Sequence, residues 1–341
     1  MSALAAVAGI QAQEYEVVDI GTPGAALAVS DSGGVAGYSV GPEGRRAFLW
    51  RDGVMQLLGT LGGEASEAWG INAAGHVVGE SHTGAYTEWG EAIIHAFLWD
   101  GETMHDLGTV PDGYSSGAWK INDAGETVGW SSLYSGETHA FYFRSYKPRA
   151  IMEDWHSPDA MYHSEPRAIS NSGWIAGYFI PVDNYYYTFR AFLGYKDPQG
   201  LVRMMDLGAL SPYPWLESRA FSVNNRGDAA GWAYTEYWQQ HACLWVEGQP
   251  IDLNELDSRS IAYCVNDRGT VVGNSGSGST QKAFVWDEEF GMRDLNALVD
   301  PVAAAGWRFR VARHINNRGW IVGSGQLNGV GSAFLLKPID K

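Results

Sequence analysis

Hydrophobic and polar positions in this chain recur in blocks instead of following one long period. Each block opens with a small residue, a bulky one, and then Ile or Val two positions later. The sharpest copies are Ala68-Trp69-Gly70-Ile71, Ala118-Trp119-Lys120-Ile121, Ala220-Phe221-Ser222-Val223 and Ala262-Tyr263-Cys264-Val265. A turn of the form Asn122-Asp123-Ala124-Gly125 follows, then Val-Val-Gly or a near equivalent, then an apolar run such as Ala96-Phe97-Leu98-Trp99. A second turn, Trp99-Asp100-Gly101, leads into Met104 to Leu107. Short apolar runs bounded by turn residues predict strands, with Gly supplying the positive φ of each tight hairpin and Asn capping it. Every block therefore predicts four strands.

The hairpin glycine returns at Gly33, Gly75, Gly125, Gly173, Gly227, Gly269 and Gly319, in steps of 42, 50, 48, 54, 42 and 50 residues. Periods of this size belong to propeller blades, not to shorter solenoid coils. The expected fold is all-β: a seven-bladed β-propeller of four-stranded blades, forming a single domain over residues 13–341. The seventh unit ends at Ala333-Phe334-Leu335-Leu336 with no fourth strand after it. Tyr15 to Gly21 resembles Met-x-Asp-Leu-Gly but precedes any first strand. This N-terminal strand is expected to complete the last blade and close the ring, which removes free sheet edges.

The combination of His95-Ala96-Phe97-Leu98-Trp99, Ile71-Asn72-x-x-Gly75-x-Val77-Val78-Gly79 and an Asp-Leu-Gly-Thr-Leu-Gly-Gly pattern, met in part by Leu58-Gly59-Thr60-Leu61-Gly62-Gly63 and by Asp106-Leu107-Gly108-Thr109, resembles the bacterial extracellular HAF repeat over about residues 15–337. The resemblance implies a secreted or periplasmic bacterial protein and no particular activity or catalytic residue. Some units depart from the pattern. Ser30 and Ser170 replace the turn Asn, Gly194 replaces Trp, and unit three lacks a recognisable Asp-Leu-Gly strand.

Composition narrows the function classes. The 341 residues include 43 Gly, 15 Trp and 17 Tyr, as expected of a turn-rich β-protein, and the net charge is −16. That charge disfavours a nucleic-acid or anionic-membrane partner. Residues 2–9 are apolar and precede Ala12 and Gln13, which reads as the remnant of a secretory leader over residues 1–12. No other run is long and apolar enough to span a bilayer. Cys243 takes the Phe position of its unit and Cys264 lies on a first strand, so two buried thiols are expected in place of a disulfide. A monomer is expected.

Alternating strand direction places the short hairpins at one end of every unit and the long, variable connections at the other. Those connections cover 84–94, 155–166, 179–188, 211–218, 233–240 and 296–307, and binding concentrates on such loops. Their aromatic residues include Tyr86, Trp89, Tyr185, Tyr186 and Tyr234. The expected ligand-binding set is Trp155, Tyr187, Tyr213, Trp215, Tyr237 and Trp238, with Lys120 near the channel mouth. Exposed rings suit stacking on sugar faces or packing on a protein. The repeated His95, His139 and His241 occupy equivalent slots in different units, so they read as structural, and no metal or cofactor is expected. If the protein is a lyase, Tyr162, His163, Arg167, Arg313 and His314 are the candidates for proton abstraction and charge neutralisation. If it is a glycosidase, Glu165 and Glu217 are the candidate acid/base pair. The leading expectation is an extracellular glycan-binding propeller. A polysaccharide lyase or glycosidase at the same face, or a scaffold for a cell-surface protein, are the alternatives.

Overall fold

The computed structural model describes residues 14–144, 152–183, 186–197, 202–254, 256–257 and 259–339. Among them there is no α-helix; apart from two single 3-10 turns, the regular structure is strand. After β1 (Tyr15–Asp19), the strands fall into repeating groups of four. Unit one is β2 (Gly24–Val29), β3 (Val35–Gly41), β4 (Gly44–Arg51) and β5 (Val54–Leu57). Unit two is β6 (Ser66–Ile71), β7 (Val77–Tyr86), β8 (Ala92–Trp99) and β9 (Met104–Asp106). Unit three is β10 (Gly113–Ile121), β11 (Glu126–Leu133), β12 (Thr138–Arg144) and β13 (Glu153–Asp154). Unit four is β14 (Ala160–Ile169), β15 (Ile175–Pro181), β16 (Arg190–Lys196) and β17 (Val202–Asp206). Unit five is β18 (Ser218–Val223), β19 (Ala229–Tyr234), β20 (Gln240–Val246) and β21 (Gln249–Asp252). Unit six is β22 (Ser260–Val265), β23 (Val271–Ser275), β24 (Lys282–Asp287) and β25 (Gly291–Asp294). Unit seven has β26 (Trp307–Ile315), β27 (Ile321–Leu327) and β28 (Val330–Pro338), and β1 pairs antiparallel with β28 from Tyr15↔Pro338 to Asp19↔Phe334. Units three and four touch at one parallel pair, Thr138↔His163, which joins them into one eight-stranded sheet.

Within a unit, neighbouring strands run antiparallel, and apolar side chains from both faces are buried against the adjacent units. One core cluster joins Leu49 and Leu58 of unit one to Phe97 and Trp99 of unit two. Another joins Phe48 and Trp50 of unit one to Val322 and Leu335 of unit seven. Phe48, Phe97, Phe141, Phe192, Phe284 and Phe334 are all fully buried in the same slot, and Cys243 fills that slot in unit five. Each such Phe contributes roughly 1.5–3 kcal/mol through burial. Cys243 and Cys264 are separate buried thiols.

Unit three does have a fourth strand, which corrects the sequence expectation. Asp154 stands where five of the other six units have the Asp of Asp-Leu-Gly, unit one having Leu57, and Trp155 takes the Leu place. Its N–H donates to Ala140 O at 2.8 Å, as Leu107 N–H does to Ala96 O at 3.0 Å. Trp155 is thus 2 % exposed core, not a loop ring, and leaves the ligand-binding set. The large indole is accommodated because the neighbouring unit carries Gly194 in its Trp slot; a Cβ there would lie 3.0 Å from the Trp155 ring. Residues 160–166 belong to β14, so Tyr162 and His163 sit on a first strand and not in a loop.

Candidate functional site

Two consecutive side chains of each first strand share one side because the strand is bulged. Register shifts fall between Ala26/Ala28, Ala68/Gly70, Ala118/Lys120, Pro166/Ala168, Ala220/Ser222, Ala262/Cys264 and Ala312/His314. A bulge leaves one extra residue unpaired and kinks the strand. The glycine of Val-Val-Gly lies opposite each bulge. At Gly79 or Gly273 a Cβ would run into the carbonyl of Glu67 or Ile261, so only glycine fits. The result is two stacked layers of side chains along the first strands.

The layer at the hairpin-turn end surrounds a cavity of about 140 Å³ lined by residues of all seven units. Lys120, Ser222, Cys264 and His314 face it, and the turn residues Ser30, Asn72, Asn122, Ser170, Asn224, Asn266 and Asn316 ring it. Each turn Asn does two jobs. Asn316 Oδ1 accepts from Arg318 N–H at 3.0 Å and Trp320 N–H at 2.9 Å, while Nδ2 donates across to Ser30 O at 2.9 Å. The same cross-unit bond runs from Asn72 to Asn122 O, Asn122 to Ser170 O, Asn224 to Asn266 O and Asn266 to Asn316 O, at 3.1–3.2 Å. Ser30 and Ser170 cap their own turns, each accepting a backbone N–H at 3.1 Å, but have no amide to donate onward.

The next layer is aromatic and cationic. Trp69 meets Trp119 edge-on at 4.9 Å, and Phe221 stacks on Tyr263 at 5.9 Å. Arg167 lies 3.5 Å over Trp119 and 5.4 Å from Phe221, and Arg313 lies 4.4 Å over Tyr263. The basic candidates Lys120, Arg167, Arg313 and His314 are therefore divided. Lys120 and His314 line the turn-end cavity, away from the aromatic loops, whereas Arg167 and Arg313 are engaged by neighbouring rings.

Beyond Arg167, at the loop end, lies a charged cluster. Arg167 donates to Glu165 at 2.9 Å, and His163 approaches Glu165 at 3.5 Å. His163 stacks on Tyr178 at 5.9 Å, with Phe189 edge-on at 4.9 Å. Burial works against ionisation of Glu165, but His163, Arg167 and Tyr178 outweigh it and hold the carboxyl down at about 2. Glu80 shows the opposite: burial, then the charges of Glu67 and Glu165, push it up to about 7, with Arg167 pulling the other way. Glu67, which faces Glu80 across the β6–β7 pair, is ion-paired with Arg45.

The lyase set is not assembled as expected. Tyr162 is 52 % exposed and takes no part in the cluster; the tyrosine against His163 is Tyr178. Burial and Glu165 push the Tyr178 phenol upward, which makes it a poor base at neutral pH. His314 is held neutral by burial and by Lys120, its Nδ1 accepting from Val29 N–H at 3.4 Å. Glu217 pairs with Arg219 at 3.7 Å, so the carboxyl electrostatically coupled to Glu165 is Glu80. Glu80 was legible: it follows Val-Val-Gly in a slot that holds Tyr38, Trp130, Tyr178 and Trp232 in other units. The repeated histidines are each used within their own unit: His95 with Asp106 at 2.9 Å, His139 with Asp154 at 2.8 Å, His241 with Asp252 at 2.9 Å. Among the described residues no group of three or more metal-ligating side chains comes together.

The loop end also carries the expected aromatic surface, apart from Trp155. Tyr213 stacks on Trp215 at 4.9 Å and 14°, and Tyr186 meets Trp215 at 5.5 Å. Tyr187, Tyr237 and Trp238 are 60 %, 75 % and 64 % exposed. The bridge Leu210↔Thr235 brings the connection bearing Tyr213 beside the β19–β20 connection bearing Tyr237 and Trp238. Tyr185 and the leader remnant 1–12 lie outside the described residues.

No protein-family model matches the chain, and no characterised protein matches it by sequence. Solved structures do resemble it. The β-propeller domain of the Trilobed protease from Pyrococcus furiosus aligns with TM-score 0.55 at 9 % identity, over 95 % of this chain and 94 % of that one. Puromycin hydrolase aligns with TM-score 0.55 at 14 % identity, over 89 % of this chain but only 50 % of that one. No helix among the described residues is long and apolar enough to cross a membrane. The likeness establishes an all-β, propeller-type fold built from four-stranded sheets.

Proposed function

We propose that this chain is a secreted binding protein, a ring of seven four-stranded blades closed by β1, that takes an extracellular glycan on the aromatic surface of units four and five. Ring closure is supported by the pairing of β1 with β28 and by the Asn316–Ser30 bond between the last unit and the first. The binding reading rests on one observation: rings stand exposed on adjoining connections where no core requires them. Two of these, Tyr187 and Trp238, hold φ at +55° and +61°. A bulky residue at positive φ is strained, and such strain persists where the ring's display has a use. The leader-like residues 1–12 accord with export.

A second reading, hydrolysis at the loop-end cluster, is favoured by the pairing of Glu80, which keeps its proton up to about pH 7, with an ionised Glu165. One experiment separates the two. Neutral and uronic-acid polysaccharides are cast in native gels for retardation of the protein, and parallel incubations are sized by exclusion chromatography. Retardation without fragmentation is the expected result. Fragmentation would replace the binding reading with the enzymatic one, and neither effect across the panel would overturn both.

A further inference from the structure

The turn-end cavity holds a cation that its surroundings leave uncompensated. Lys120 lies deep in the enclosed space yet keeps part of its surface open to the cavity. Among the described residues none hydrogen-bonds or ion-pairs with its ammonium. The other polar groups around it are already satisfied by protein. Ser222 Oγ accepts from Val265 N–H at 3.2 Å and faces Cys264 Sγ at 3.6 Å. The Cys264 thiol donates to Ile315 O at 3.5 Å. His314 is occupied at Nδ1 by Val29 N–H, which leaves Nε2 as a donor.

The charged groups at the mouth do not supply a counter-ion. Asp31 accepts from Asn317 N–H and Nδ2 at 2.8 and 3.0 Å. Asp123 accepts from Ala73 N–H and Asn171 Nδ2 at 2.8 and 2.7 Å. Asp267 accepts from Asn225 N–H and Nδ2 at 2.8 and 2.7 Å, and from Asn317 Nδ2 at 2.9 Å. On the inner side stands a second cation, Arg167, which together with burial presses the Lys120 ammonium down to about 8, Cys264 acting in the opposite sense. A cation so placed is costly without a partner.

We propose that this cavity is a binding site for a small monocarboxylate, anchored on the Lys120 ammonium. Its size suits a molecule displacing about five waters. A planar carboxylate has two oxygens, one for the ammonium and one for a neutral imidazole N–H. The three mouth carboxylates weigh against a dianion more than against a monoanion.

The test is thermal unfolding of the full chain at pH 7 in sodium acetate, against sodium chloride and sodium sulfate at matched ionic strength. Acetate is expected to raise Tm saturably, by about 2 °C or more, in the wild type and not in Lys120→Met. A neutral side chain fits that slot, which holds Ala28, Gly70, Ala168, Ser222 and Cys264 in other units. No acetate shift beyond chloride, or an equal shift in Lys120→Met, overturns the proposal. Should the variant not fold, amine acetylation of the wild type with peptide mass readout decides. Modification of Lys120 slows several-fold in saturating formate if the site exists and is unchanged if it does not, with Lys282 and Lys337 as internal controls.

Discussion

Units five and six make the same turn bonds at one end and carry unlike connections at the other. At the turn end, Asn224 and Asn266 each cap their own hairpin through Oδ1 and reach the next unit through Nδ2. At the loop end, unit five carries Tyr234, Tyr237 and Trp238, whereas unit six turns over Gly276 and a 3-10 turn without a ring. The repeated end is built for cohesion, since its polar atoms are used between units. At the varied end cohesion is left to first-strand serines, Ser218 accepting Ala191 N–H at 3.0 Å and Ser260 accepting Ala242 N–H at 2.8 Å, and the connections beyond them hold residues that depart from the repeat and show exposure, strain or displaced acidity. Departure from the repeat is thus the better guide to function here than the repeat itself.

The largest expected effect probes the varied end. The folded-state pKa of Glu80, at about 7, lies above its ordinary value of 4.5, so folding favours its protonated form. That contribution is fully present below pH 4.5 and is lost as pH rises through 7. Between pH 4 and pH 8, chemical denaturation should show Glu80→Gln gaining about 3 kcal/mol of stability relative to wild type. A pH-independent difference would show that burial and the neighbouring Glu67 and Glu165 do not hold the proton on Glu80.

A smaller effect tests the repeated end. Asn316→Ala removes the cap and the bond to Ser30 together, and should cost about 2 kcal/mol in urea unfolding. Asn316→Ser keeps a capping hydroxyl, as Ser30 and Ser170 do, and should lose about half of that. Equal losses would mean that the cross-unit bond contributes nothing. Smallest of all, Trp238→Gly relieves a positive φ and should raise stability by about 1 kcal/mol. The same change should weaken glycan retardation, so stability and binding move in opposite directions at this residue.

The strand order of every unit but the third was legible because glycine, asparagine and the apolar runs recur in fixed order. So were the buried thiols and the structural histidines, because equivalent slots in different units cannot converge. Trp155 was misread because identity was weighed above position: it follows Asp154, and the Asp-Leu-Gly register buries whatever stands there. The division of Lys120 and His314 from Arg167 and Arg313 was not legible, since a bulge turns two consecutive side chains to one side where strict alternation would separate them. The raised pKa of Glu80 comes first from burial and then from Glu67 and Glu165, which are distant from one another in sequence and meet only when units two and four are placed. The exposed rings of Tyr213, Tyr237 and Trp238, and the half-buried Trp215 stacked on Tyr213, were legible because they lie in long connections outside the repeat.

The most direct test compares the two functional regions on one ligand. Dissociation constants for the polysaccharide retained best would be measured for wild type, for Trp215→Ala combined with Trp238→Ala, and for Glu80→Gln combined with Glu165→Gln. The aromatic pair should weaken binding about tenfold, as loss of two stacking contacts of roughly 0.7 kcal/mol each implies, with the carboxyl pair within twofold of wild type. The reverse ordering would place recognition in the charged cluster and contradict the assignment of the ligand to the aromatic surface.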